Sequence, residues 1–248
     1  MTQQYVDQRA KIMDGLRQFD GCFLAGGAVN SAFTGRDIVD FDLYFKSEQT
    51  FRQAVEDAFD DGLWCAQASH RSVTFSDGGS TTLQFMHFEF FDSAAAVFDA
   101  FDFTICMGAW DTSAKEFVLH PDFLTDCAAR RLRFHSGTRF PLISALRVLK
   151  YQERGYAIDR ANMLQLAMAC AALDLQSWED LEHQIGGLYG DRIQITRDGE
   201  FSLERAIRAV AQNPQSVSAR MSEPPAYLGS AETLLEHLYG PALRQAAE

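Results

Sequence analysis

The chain has 248 residues, 47% hydrophobic and 23% charged, with 22 Lys and Arg against 34 Asp and Glu for a formal net charge of −12. That length allows one large domain or two modest ones with a real core, and the acidic balance argues against a protein that binds long duplex DNA through a basic surface. The most apolar stretch, Met163 to Leu175, is too short for a bilayer and reads as a buried helix, so no membrane partner is expected. The first residues carry neither a basic start nor an apolar h-region, which predicts a cytoplasmic protein. The five scattered cysteines form no C-x-x-C pair and read as reduced core thiols.

In chain order, residues 5–19 have helical spacing, and Cys22 to Ala25 is a short strand running into Gly26-Gly27. A helix to about Phe33 and a turn at Thr34-Gly35 precede a strand over Ile38 to Phe45. Ser47 is placed to cap a helix over 48–61 that Gly62 closes. Strands follow over 63–68, 71–76 and 81–90, the last two joined as a hairpin through 77–80. A helix spans 93–100, and Phe103 to Trp110 fits strand or helix. Beyond Pro141 the pattern is helical, over about 141–154, 160–174, 177–186, 202–211 and 231–238, with a weak strand at 192–195 and a loop at 213–225. The expected fold class is α+β, a small mixed-sheet domain over 1–137 followed by an all-helical domain over 138–248.

The chemistry concentrates in the strand before Phe45. Alternation puts Val39, Phe41, Leu43 and Phe45 on one apolar face and Ile38, Asp40, Asp42 and Tyr44 on the other. The two carboxylates then stand about 7 Å apart at their Cα atoms and point the same way. Like charges that close repel, and Mg²⁺ or Mn²⁺ relieves the repulsion through the hard oxygen ligands it prefers. Taken alone, a D-x-D on a strand is more often a solvated face. The preceding strand, Gly-Gly turn and helix make it more specific, because glycines let backbone N–H groups approach a phosphate at a helix N-terminus.

A basic run in this acidic chain comprises Arg130, Arg131, Arg133, Arg139, Arg147, Lys150, Arg154 and Arg160. On the helix over 141–154, Leu142, Leu146 and Leu149 make an apolar stripe and Arg147, Lys150 and Arg154 a basic one. The basic stripe reads equally as a solvated face or as a triphosphate clamp.

Leu24-Ala-Gly-Gly-Ala-Val-Asn-Ser-Ala-Phe-Thr-Gly-Arg-Asp-Ile-Val-Asp-Phe-Asp-Leu43 resembles the head-domain motif of the polymerase β-like nucleotidyltransferases, in particular bacterial-type CCA-adding enzymes and poly(A) polymerases. Arg71 to Phe75, Asp102 to Asp111, His120 to Arg133 and, loosely, Leu142 to Tyr156 are similar to later segments of that family, in order. The resemblance implies that Gly26, Gly27 and position 30 lie at the nucleotide phosphates and that Asp40 and Asp42 bind the metals. It makes Asp102 a third carboxylate, for the metal or the acceptor, where an N-cap before Thr104 is the plainer alternative. Arg147 and Lys150 would face the nucleotide. The pattern is departed from in three places: Asn30 replaces an arginine, Ala100 and Phe101 replace two more, and the acidic pair before the arginine helix is missing, with Arg139-Phe140-Pro141 near its place. The family's means of choosing sugar and base are therefore not evident.

The implied activity is Mg²⁺-dependent transfer of a nucleoside monophosphate from an NTP, ATP or CTP, to an acceptor hydroxyl with loss of pyrophosphate. An RNA or tRNA 3′ end is the acceptor that the resemblance suggests. A protein or small-molecule acceptor, or a degenerate module that binds nucleotide without transfer, are the alternatives.

Overall fold

A computed structural model of the chain describes residues 19–38, 40–69, 71–76, 78, 82–185, 195–211 and 228–240. The described residues form two compact units, one from the stretches Met1–Asp99, Ile105–Ala129 and Ser222–Glu248, the other from Ala100–Thr104 and Arg130–Met221. The first is the head unit below and the second the helical unit.

The head unit is built on a mixed seven-stranded sheet. Its strands are β1 (Cys22–Ala25), β2 (Asp40–Phe45), β3 (Trp64–Ala68), β4 (Ser72–Ser76), β5 (Thr82–Met86), β6 (Gly108–Asp111) and β7 (Glu116–Leu119), in the spatial order β3-β4-β5-β2-β1-β6-β7. β2 and β5 pair in parallel, and the other neighbours are antiparallel. The helices are α1 (Gly27–Thr34), α2 (Glu48–Asp60), α3 (Ala94–Asp99), α4 (Phe123–Ala128) and, from the far end of the chain, α9 (Ala231–Tyr239). The expectation of a mixed-sheet α+β head holds.

The core is aromatic. Phe45 meets Phe51 of α2 and Phe85 of β5 edge-on, with ring centroids 5.4 and 5.2 Å apart, and Phe75 lies 5.0 Å from Phe85. β1 is buried along its whole length. Ser47 caps α2 as its sequence predicts: its hydroxyl accepts from Thr50 N–H, and Thr50 Oγ1 accepts from Ser47 N–H at 3.1 Å. Burial pushes the Cys22 and Cys65 thiols up to about 12, and all five cysteines are free.

The helical unit holds α5 (Pro141–Glu153), α6 (Arg160–Ala171), α7 (Trp178–Ile185), α8 (Leu203–Ala211) and a two-strand parallel ladder of β8 (Arg131–Leu132) and β9 (Ala157–Ile158). Its core includes Trp178, Leu181, Ile185, Ala206 and Ala209, with Leu142 and Leu146 packed against them. Among the described residues no helix is long and apolar enough to cross a membrane.

Several elements differ from the sequence reading. Phe103 to Trp110 divides into a 3₁₀ turn (Thr104–Cys106) and the start of β6. β7 was not expected; pairing with β6 makes a strand of Glu116–Leu119. The helix over 231–238 falls in the head unit, where it packs on α2 through Tyr239 and Phe51. On α5 the inward face is Ile143, Ser144, Arg147, Val148 and Tyr151, while Leu149 is 61% exposed. Residues 5–18 of the helix expected over 5–19, Val39, most of the 77–80 turn, the strand residues 192–194 and the loop at 213–225 lie outside the described set.

Candidate active site

The antiparallel register Ala25↔Asp42 ends β1 beside Asp42. Residues 40 and 41 therefore run past the end of β1, alongside the turn that Gly26 begins. Gly26 has φ 80° and ψ −130°, a conformation open essentially to glycine. It turns the chain into α1, and its N–H donates to Gly108 O at 3.2 Å. No side chain caps the N-terminus of α1, and its first turn carries no acid. Gly27 is exposed, and a Cβ there would meet nothing within 4 Å. A helix N-terminus with no side-chain cap, and with no side chain at Gly27, suits an anion.

On β2, Phe41, Leu43 and Phe45 are buried, Asp40 is exposed and Asp42 half-buried. The alternation is as expected, except that Tyr44 on the carboxylate face is also buried, 5.9 Å from Phe91. β5 brings Thr82 alongside Asp40 and Gln84 alongside Asp42. The Thr82 hydroxyl donates to Asp40 Oδ1 at 2.5 Å. Sequence reading did not single out Thr82, because only the parallel β2–β5 pairing puts it there. Among the described residues no cluster of three or more His, Cys, Asp or Glu could hold a metal. A pair of carboxylates still fits Mg²⁺, which takes one or two of them and completes its shell with water and phosphate oxygens.

The remaining candidates are engaged inside the protein. Asn30 is buried, and its amide donates to Ile105 O at 3.1 Å and Cys127 Sγ at 3.2 Å. Asp102 is wholly buried in the helical unit, with Arg147 Nε 3.4 Å from its Oδ2. Burial pushes the Asp102 carboxyl up, and Arg147 offsets part of that rise. Arg147 Nη2 donates to Tyr151 OH at 2.7 Å. Tyr151 is itself buried against Phe103, at 5.7 Å between ring centroids. Lys150 is half-buried on the same helix. A groove of about 600 Å³ between α2 and α9, lined by Arg52, Glu56, Leu235 and Tyr239 among others, includes none of the candidate residues.

The sheet, the Gly-Gly turn and the paired carboxylates define a nucleotidyltransferase-type fold. Solved structures agree: a CCA-adding enzyme in complex with ATP superposes at a TM-score of 0.55 with 14% identity, over 98% of this chain and 63% of that one. The Thermotoga maritima CCA-adding enzyme complexed with tRNA gives 0.53 with 15% identity, over 84% and 52%. The chain itself belongs to the Gabija anti-defense 2 family, whose model matches residues 2–130, more than half of the sequence. It is 35% identical over 192 residues to "Gabija anti-defense 2" of Bacillus phage SPbetaL7, which covers 76% of this chain and 48% of the relative. The chain thus spans about half the length of that curated relative.

Proposed function

We propose that the chain is a Mg²⁺-dependent nucleotidyltransferase, and that this activity serves the anti-defense role for which the phage relative is named. The observation that carries the reading is the β1–β2 register, which sets Asp40 and Asp42 beside the Gly26–Gly27 turn. In this reading the first N–H groups of α1 hold the NTP phosphates and Asp40 and Asp42 hold the cation. A divalent cation bound there supplies charge neutralisation for the triphosphate and the leaving pyrophosphate. The acceptor hydroxyl oxygen bonds to the α-phosphorus, the bond from that phosphorus to the bridging oxygen breaks, pyrophosphate departs in line, and the hydroxyl proton leaves to water.

The head unit's Gly26, Gly27, Asp40 and Asp42 carry the transfer. Asp102 and Arg147, which the family resemblance would bring to the substrate, face each other inside the helical unit. An RNA 3′ end is the favoured acceptor, since fold neighbours are tRNA-processing enzymes and residues 130–160 supply cations. The burial of Asp102 against Arg147, where the resemblance implies a third catalytic carboxylate, favours a second reading, nucleotide binding without transfer.

Incubation with each α-³²P-labelled NTP, Mg²⁺ and bulk tRNA, then with protein and small-molecule acceptors, separates the two. The transferase reading expects labelled acceptor from the wild type and at least about 10³-fold less from Asp42→Ala. Equal transfer by the variant overturns the metal assignment. Bound NTP with no transfer to any acceptor establishes the second reading. In cells carrying the Gabija system, phage plating is expected to recover with the wild-type chain and not with Asp42→Ala.

A further inference from the structure

Asp40 opens β2 with its side chain in solvent, where a short carboxylate turns freely between rotamers. A loose ligand binds a cation poorly, because the binding step must then also order the side chain. One neighbour holds it. In the parallel register Asp40↔Thr82 and Asp42↔Gln84, the two β5 side chains rise on the same face as the two carboxylates. Gln84 gives its amide to Ser72 Oγ at 3.1 Å, on the side away from β2. Thr82 gives its hydroxyl to Asp40 Oδ1 at 2.5 Å, the length of a hydrogen bond from O–H to an ionised carboxylate.

We propose that Thr82 is a positioning residue for the metal ligand Asp40: its hydroxyl occupies Oδ1, fixes the carboxylate plane and leaves Oδ2 for a divalent cation. The inference rests on the reading of Asp40 and Asp42 as the metal pair. Threonine suits the task. Its branched Cβ is at home in a strand and stiff at χ1, so the donor is itself held in place. The hydroxyl donates without adding charge, so it orients the carboxylate and does not compete with the cation as an ammonium would. Neighbours of this kind around metal ligands contribute about 10- to 100-fold in metal affinity.

The test is Mn²⁺ binding to the full chain without nucleotide, followed by electron paramagnetic resonance, with melting curves to confirm folding. Thr82→Val keeps the shape and removes the donor, Thr82→Ala removes both, and Thr82→Ser restores the donor. The expected result is a loss of affinity of about tenfold or more for Thr82→Val and Thr82→Ala, with Thr82→Ser within about twofold of wild type. Wild-type affinity in both donor-free variants overturns the positioning role, and so does a Thr82→Ser variant as weak as Thr82→Val. Asp42→Ala is the control for the underlying reading: if it binds Mn²⁺ like the wild type, the metal pair fails and the role of Thr82 fails with it.

Discussion

Arg147 faces Asp102 inside the helical unit with Nε 3.4 Å from Oδ2, and the two side chains are 8% and 0% exposed. A charge this deep is tolerated only while its partner stays. Arg147→Met should therefore destabilise the chain by about 3–5 kcal/mol at neutral pH. The loss should depend on pH. Burial holds the Asp102 carboxyl above its ordinary value of 3.8. Its protonated form therefore favours the folded state, a contribution present below the ordinary value and lost as pH rises through the folded one. Removing Arg147 takes away the opposing influence, so the deficit is small below about pH 4 and grows as pH rises. Urea unfolding over a pH series measures it, and adding Asp102→Asn should recover most of the loss. A pH-independent deficit would show that the pair is not an ionised one.

The two glycines of the turn should separate folding from binding. Gly26→Ala forces a side chain onto φ 80° and ψ −130° and should cost about 1–3 kcal/mol. Gly27→Ala meets open space at the first position of a helix, so stability should hold or rise slightly. If that space is the phosphate cradle, the new methyl group raises the KM for NTP while the melting temperature stays put. Steady-state kinetics beside calorimetry decides it, and an unchanged KM places the triphosphate elsewhere.

Ser47→Ala removes the side-chain acceptor at the start of α2. The expected cost is about 1 kcal/mol, seen as a fall of about 2–4 °C in Tm for a chain of this size. Transfer activity should not change, because α2 supports the sheet and contributes no candidate site residue. Thr50→Ala, which breaks the other half of the box, should fall in the same range.

Metal removal should act on function and not on the fold. EDTA is expected to abolish transfer and excess Mg²⁺ to restore it. In the metal-free chain, Asp40 and Asp42 stand as like charges on one strand face. Asp42→Asn should therefore melt at the same temperature as the wild type or higher in EDTA, while losing activity when Mg²⁺ is returned. A lower melting temperature in EDTA would mark Asp42 as structural.

Much of the head unit was legible because its signals are local. Ser47 announced a cap, Thr34-Gly35 a turn, which the structure makes a left-handed helix end at Gly35, and the D-x-D alternation a half-buried strand. β7 escaped because Glu116–Leu119, although it holds the strand formers Phe117 and Val118, is too short to show an alternating period, and its pairing with β6 defines it. Leu149 was misplaced on α5: Leu142 and Leu146 of the predicted stripe pack on the core of the helical unit, whereas Leu149 is exposed, and spacing alone cannot tell where along a stripe the packing ends.

The sequence by itself determined the run of short strands and helices in the head, the Gly-Gly turn and the carboxylate pair on one strand face, since each depends on residues within about one element of one another. Only the tertiary structure decided what those residues touch. The β1–β2 register brings the turn to Asp40 and Asp42, the parallel β2–β5 pairing brings Thr82 to Asp40, and burial ties Asp102 to Arg147. These are contacts between residues distant in the chain, and register, strand order and burial are set by the packing of the whole unit.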